Sequence, residues 1–172
     1  MIGQETQVRV PPANTPALPG EEFEYSTEVL VVGEKGDDEL IARILPDFDG
    51  NKDLVFAGGD DLIDTTGSIS GGSRLDGGSG DHILLSERSD RAIGGEGQDS
   101  FWIATAEFPH KVNTITDFEA QVDVIRVGGL GVTYEDLHFR IEDGNTTVST
   151  LGQDLAILLN VEQVEASNFV FA

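Results

Sequence analysis

The chain has 172 residues, with 32 Asp and Glu against 10 Lys and Arg, a formal net charge of -22 and no cysteine. A field this negative repels phosphate backbones and anionic lipid heads, which excludes nucleic-acid binding and a polybasic membrane anchor. The missing cysteines exclude disulfides, thiolate catalysis and Cys-ligated metal clusters, and no apolar run approaches the about 18 residues that span a bilayer.

Four of the six prolines fall within the first twenty residues, in a stretch without helical or strand periodicity. Residues 1–22 therefore read as a disordered arm or linker. The Met1 end lacks the basic-then-apolar order of a cleavable leader, so export by the ordinary signal-peptide route is not expected. From residue 23 to 104 glycine dominates: 14 of the 21 glycines lie between Gly33 and Gly97, mostly as Gly-Gly or Gly-x-x-Gly followed by Asp. Such spacing is a repeat signal. Residues 105–172 lose the glycine pairs and gain alternating apolar runs such as Val122-Asp-Val-Ile-Arg-Val and Leu155-Ala-Ile-Leu-Leu-Asn-Val, which read as strands capping the repeat stack.

The repeat unit is written out in full by Gly94-Gly-Glu-Gly-Gln-Asp99-Ser-Phe-Trp102, which fits the nonapeptide G-G-x-G-x-D-x-U-x with U a large apolar residue. Gly33-Glu-Lys-Gly-Asp-Asp38-Glu-Leu-Ile41 fits at full length, while Ala57-Gly-Gly-Asp-Asp61 and Gly77-Gly-Ser-Gly-Asp81 read as copies one residue short. The U positions then run Leu40, Val55, Ile63, Ile69, Leu75, Ile83, Ala92 and Phe101. A three-residue strand buries one side chain and cannot stand alone. Two units of nine should make one right-handed turn of about eighteen residues, placing every second glycine loop above its predecessor. Asp81, Asp99 and Asp117 are spaced by 18 residues each and are expected to line one edge.

Carboxylates stacked at the strand spacing of roughly 4.8 Å repel one another, and ten basic residues cannot neutralise them all. A hard divalent cation can. Calcium takes six to eight oxygen ligands, so carboxylates and inward-pointing glycine carbonyls from two loops suit it, whereas magnesium prefers a smaller shell with retained waters. The loop pair expected to hold it best is Gly77, Gly78, Gly80 and Asp81 with Gly94, Gly95, Gly97 and Asp99. Asp99 with Asp117 is a candidate capping site, and Gly33, Gly36 and Asp38 with Gly58, Gly59 and Asp61 form a candidate on the other edge. Asp90 is a further candidate without glycines around it. Asp47, Asn51, Asp49 and Asp53 alternate like the oxygen ligands of calcium loops, with Gly58 where an EF-hand has its distal Glu.

These residues, Gly94 to Trp102 above all, resemble the repeats-in-toxin (RTX) haemolysin-type calcium-binding repeats. The resemblance covers roughly residues 33–172. Its second half includes Asn113-Thr-Ile-Thr-Asp-Phe118, Val122-Asp-Val-Ile125, Gly128-Gly-Leu-Gly131 and Asn168-Phe-Val-Phe-Ala172, similar to the capping region of many secreted RTX proteins, with Asn113 where that family often has Asp. The resemblance implies an all-β fold, a right-handed parallel β-roll with a β-rich cap. It also implies secretion by the type I route, through an uncleaved C-terminal signal.

His82, His110 and His138 are isolated and read as structural. Carboxylates are too abundant for a pair to signal glycosidase chemistry, and no Gly-x-Ser-x-Gly, Walker loop or His-Glu-x-x-His occurs. Phe101, Trp102 and Phe108 read as sealing the last coil. The sequence thus points to a non-enzymatic, extracellular module, a monomer that folds when it binds several calcium ions. Two alternatives stand beside it: a calcium-dependent module that binds a polysaccharide or a cell surface, and the C-terminal part of a larger secreted enzyme.

Overall fold

The computed structural model describes residues 29–32, 36–37, 39–41, 52–55, 58–65, 72–86, 90–105, 108–109 and 111–172. They form two sheets whose strands alternate along the chain. The first runs β1 (Val29–Val32), β3 (Lys52–Val55), β5 (Arg74–Asp76), β7 (Arg91–Ile93), β9 (Asn113–Ile115), β13 (Gln153–Leu158), β12 (Asn145–Thr150) and β11 (His138–Glu142). The second runs β2 (Glu39–Ile41), β4 (Leu62–Asp64), β6 (Ile83–Leu85), β8 (Ser100–Thr105), β10 (Val124–Gly128) and β14 (Phe169–Phe171). Every pairing from β1 to β10 is parallel, and each strand pairs with the strand two places on. This is a parallel β-roll.

The short strands follow from the repeat. In the roll they bury one residue and leave its neighbours half-covered, the pattern seen in β4 and β5. The buried column of the second sheet is Ile63, Leu84, Phe101, Ile125 and Phe169, all in register. That of the first is Leu75, Ala92, Ile115 and Leu158. Two register expectations are corrected. Leu54, not Val55, pairs with Leu75, and Leu84 at 0% exposure occupies the inward position expected for Ile83, which is 42% exposed. Ile69 lies outside the described residues. Because Ile83-Leu-Leu85 is apolar throughout, composition alone gives it no inward face, and register with Phe101 supplies one.

The sheets also do not advance by eighteen residues. Leu62 to Ile83 spans 21 and Ile83 to Ser100 spans 17, and the first sheet repeats both steps from Asp53 to Arg74 and from Arg74 to Arg91. The two edges share the irregularity unequally. Crossing from the first sheet to the second, equivalent positions are nine residues apart at Asp53 to Leu62, Arg74 to Ile83 and Arg91 to Ser100. Crossing back takes 12 residues from Leu62 to Arg74 but 8 from Ile83 to Arg91. The nine-residue edge carries the glycine loops.

Both parallel ladders continue past residue 104 through β9, β10, β13 and β14. The chain then folds back as antiparallel β12 and β11. Asp143-Gly144 and Leu151-Gly152 make the two hairpin turns with positive φ at both positions, matching the right-handed twist of the strands they join. Tyr134, Phe139 and Phe169 close the end of the core with ring centroids 5.6–5.7 Å apart, and Phe118 lies against Phe101. Of the residues expected to seal the coil, Phe101 is buried but Trp102 is half-exposed, with Arg126 over its ring at 5.7 Å. The outward position of Trp102, one residue after an inward Phe, removes it from the seal.

Truncation on the two sides of β6 should separate. Leu84→Ala should cost about 2–5 kcal/mol, and Ile83→Ala less than about 1 kcal/mol, as read by chemical denaturation; equal losses would refute the register.

Candidate metal centre

The nine-residue edge is built from loops stacked at backbone contact. Gly36 donates its N–H to the carbonyl of Gly58, Gly59 to Ser79 and Gly80 to Glu96, at 2.8–2.9 Å. Gly80 and Gly97 have φ of 135° and 132°, and a Cβ on either would stand 2.0 Å from the carbonyl oxygen of Gly59 or Gly80 beneath it. Glycine is needed there both for its conformation and for the approach.

Two ladders of side chains stitch these loops. On the exposed side, the carboxylates of Asp37, Asp60 and Asp81 accept the N–H groups of Asp60, Asp81 and Gln98 at 3.1, 2.9 and 2.7 Å. On the buried side the direction reverses. His82 Nδ1 accepts the N–H of Asp61 at 3.2 Å, Asp99 that of His82 at 2.9 Å, and Asp123 that of Asp99 at 3.0 Å. Asp61, His82, Asp99 and Asp123 are therefore equivalent positions, each directly before a strand. The imidazole of His82 takes the place of a carboxylate and also lies 3.5 Å from Asp61.

This arrangement corrects three expectations. The Gly77 unit is not short: it runs from Gly77 to Leu85 with His82, rather than Asp81, at the position of Asp99. Asp117 does not stack on Asp99; it caps the loop start, accepting the N–H groups of Gly94 and Gly95 at 3.0 and 2.9 Å, while Asp123 stacks on Asp99. Gly36, Gly58, Gly59 and Asp61 lie on the same edge as the Gly77 and Gly94 loops, not the opposite one. The causes differ: His82 in the Asp position disguises the Gly77 unit, whereas for Asp117 the coil turn varies in length, so counting eighteen residues drifts out of register.

The opposite edge carries a buried ladder of its own. Asp90 accepts the Ser73 N–H at 2.8 Å and the Thr65 hydroxyl at 2.7 Å. Asn113 accepts the Asp90 N–H at 3.1 Å and donates to the Ser86 carbonyl at 2.9 Å. Its amide needs both a donor and an acceptor, a use that an ionised Asp could not serve. Gly33, Asp38, Asp47, Asp49 and Asn51 lie outside the described residues, and of Asp53 only the backbone is described.

Electrostatically the glycine edge is unbalanced. Burial first, then the nearby carboxylates of Asp123, Asp117 and Asp81, push the Asp99 pKa from 3.8 to about 6, against the lowering effect of the His82 N–H. Asp123 is raised for the same reasons, burial foremost, with Asp117 and Glu119 adding repulsion. Both are nearly solvent-free, at 1% and 5% exposure. The Lys and Arg ion pairs among the described residues lie elsewhere, at Arg74 and Arg140. No three Asp, Glu or His side chains among the described residues converge enough to hold an ion unaided. Any cation here would draw the rest of its shell from the loop carbonyls. That donor set, carboxylate and peptide oxygens without sulfur, suits a hard ion.

Comparison with known proteins finds no matching family model and no matching curated protein. Among solved structures, the chain is similar to the AlgE6R3 subunit of the Azotobacter vinelandii mannuronan C5-epimerase, with 24% identity, 92% of this chain and 87% of that one covered, and a TM-score of 0.44. It is also similar to the AlgE6R2 subunit of that enzyme, with 23% identity, coverage of 82% and 91%, and a TM-score of 0.39.

Two outcomes are expected. Gly97→Ala should cost about 3 kcal/mol or more, because strain and a backbone clash coincide. Gly131→Ala, at φ 67° with open space around it, should cost about 1–2 kcal/mol; matched losses in denaturation midpoints would dispose of the contact argument. For pH, a folded-state pKa of about 6 against 3.8 means that Asp99 binds more protons in the native state between about pH 4 and pH 6, so it weakens the metal-free fold as pH rises through that window, and Asp123, also raised, acts in the same direction. In chelator, the β-signal in circular dichroism should be larger at pH 5 than at pH 7, and a smaller signal at pH 5 would contradict it.

Proposed function

We propose that this chain is a non-catalytic, calcium-binding module of the RTX type, acting outside the cell and stabilised by the ions it takes up. The observation that carries the reading is the crowd of Asp81, Asp99, Asp117 and Asp123 on one edge, near enough to raise the proton affinity of Asp99 and without a basic partner among the described residues. Burial is the larger cause of that raised proton affinity, and the repulsion that the neighbouring carboxylates add is the part a divalent cation would remove.

In this reading the carboxylates of Asp81 and Asp99, with carbonyls of the Gly77–Gly80 and Gly94–Gly97 loops, hold the principal ion. Asp117 and Asp123 complete the charge at the C-terminal end. Gly36, Gly58, Gly59 and Asp61 extend the same edge toward the N-terminus. Gly33 and Asp38 go with Gly36, Asp90 contributes to the opposite edge, and Asp47, Asp49, Asn51 and Asp53 supply further ligands. Residues 23–104 act as the calcium-responsive roll, 105–172 as its cap with a type I secretion signal, and 1–22 as an arm. Each independent site would add RT ln(1 + [L]/Kd) to stability, so modules with Kd of about 0.1–1 mM respond to extracellular calcium and ignore cytosolic levels.

Titrating calcium into metal-free protein at pH 7 should produce a cooperative gain of β-structure in circular dichroism. Magnesium at the same concentrations should not. Asp99→Asn should move the calcium midpoint upward by about tenfold or more. A chain equally folded in chelator and in calcium would overturn the proposal.

A further inference from the structure

A cleft of about 450 Å³ lies between the last glycine loop, the turn before β10 and the C-terminal segment, within the roughly 300–1,000 Å³ of small-molecule sites. Gln98, Gln121, Gln163 and Ser167 line its rim, and all four are exposed. Its base includes Asp123 and Asn168, which are 5% and 4% exposed. These two hold the walls in place. Asp123 accepts the N–H groups of Asp99 and Glu119 at 3.0 and 2.8 Å. Asn168 donates its amide to the Ala120 carbonyl and accepts the Glu165 N–H at 2.8 Å. The cleft is thus set before any ligand arrives, and the ordering cost of binding is reduced.

Its chemistry selects a class. A primary amide offers a donor and an acceptor side by side, the complement of two adjacent hydroxyl groups, and three glutamines with a serine line this one space. Val122, 36% exposed, gives the same space an apolar patch for C–H contact. No Lys or Arg lines it, while Asp123 and Glu165 do, so phosphate, sulfate and uronate ligands meet repulsion rather than a partner. We propose that this cleft binds a neutral polyhydroxylated ligand, one or two sugar units of an uncharged glycan. The inference rests on the fold and its cap, and where Asp123 is committed to calcium the repulsion of anions falls to Glu165.

The test is amide-proton NMR of the full chain, in buffer where circular dichroism shows it folded, with cellobiose, maltose and lactose as neutral probes and digalacturonate as the anionic one. At least one neutral disaccharide, at millimolar concentration, should shift the side-chain amides of Gln98, Gln121 and Gln163. Gln121→Ala and Gln163→Ala should each weaken that binding about tenfold, or about 1.4 kcal/mol, with unchanged circular dichroism and unchanged response to calcium. The proposal is overturned if none of the three neutral sugars causes a shift, if the shifts lie outside the cleft, if digalacturonate binds as well, or if both variants bind like the parent. Loss of the calcium transition with intact sugar binding would count against the calcium reading alone.

Discussion

The rest of the structure depends on one contact: peptide backbone resting on peptide backbone where the glycine loops stack. With Gly80 lying over the carbonyl of Gly59 and Gly97 over that of Gly80, the loops can neither grow nor shift without breaking hydrogen bonds along the edge. Nine residues are then fixed between one sheet and the next. That step brings the inward residues into column, so the packing of Leu84 on Phe101 and of Leu75 on Ala92 follows from the edge as much as from hydrophobicity. A three-residue strand burying one side chain gains about 1.5–3 kcal/mol at best, which is why no single unit suffices and why the stack behaves as a nearest-neighbour system.

The same tightness creates the charge problem. Backbone N–H groups at each loop end need acceptors, and buried donors without partners are costly. The chain meets the need with carboxylates, which bond well to N–H groups but repel one another along the edge. Asp99 shows the balance: its hydrogen bond from His82 favours ionisation, and burial with three neighbouring carboxylates outweighs it. On the opposite edge an amide, Asn113, does part of this work without charge, and the Thr65 hydroxyl donates to the Asp90 carboxylate beside it. The two edges therefore solve one hydrogen-bonding problem with different electrostatic consequences.

What could be read from the sequence follows from where the repeat is regular. Gly94 to Trp102 is complete, and its strand, its inward Phe101 and the stacking of the Gly77 loop beneath it all stand in the fold. Between Gly77 and Leu85 the pattern misleads, because His82 occupies the Asp position and three consecutive apolar residues hide the face. Counting nine residues from Gly77 would have placed Leu84 inward and His82 opposite Asp99. Asp123 as the partner of Asp99 is hidden differently: the coil from Ser100 to Val124 takes 24 residues, 14 of them on the crossing to Thr114 and 10 from Thr114 to Val124. In the cap, Asp143-Gly144 has the local chemistry of a hairpin turn, whereas Leu151-Gly152 turns with a leucine at positive φ that no turn preference signals. Their docking beside β9 depends on contacts far apart in sequence and leaves no periodic trace.

The buried ladder also has a direction, and the two ends of the coil are not equivalent because of it. Each buried acceptor serves the turn that precedes it: His82 holds Asp61, Asp99 holds His82, and Asp123 holds Asp99. A turn thus leans on the one that follows it in sequence, and the support ends at a residue set in the C-terminal region, itself clamped through Glu119. Removing a turn from the N-terminal side leaves this chain of support intact. Removing the C-terminal end strips the acceptor from Asp99, whereas on the exposed ladder removing the N-terminal end strips the acceptor from Asp60, so each end of the coil anchors one ladder.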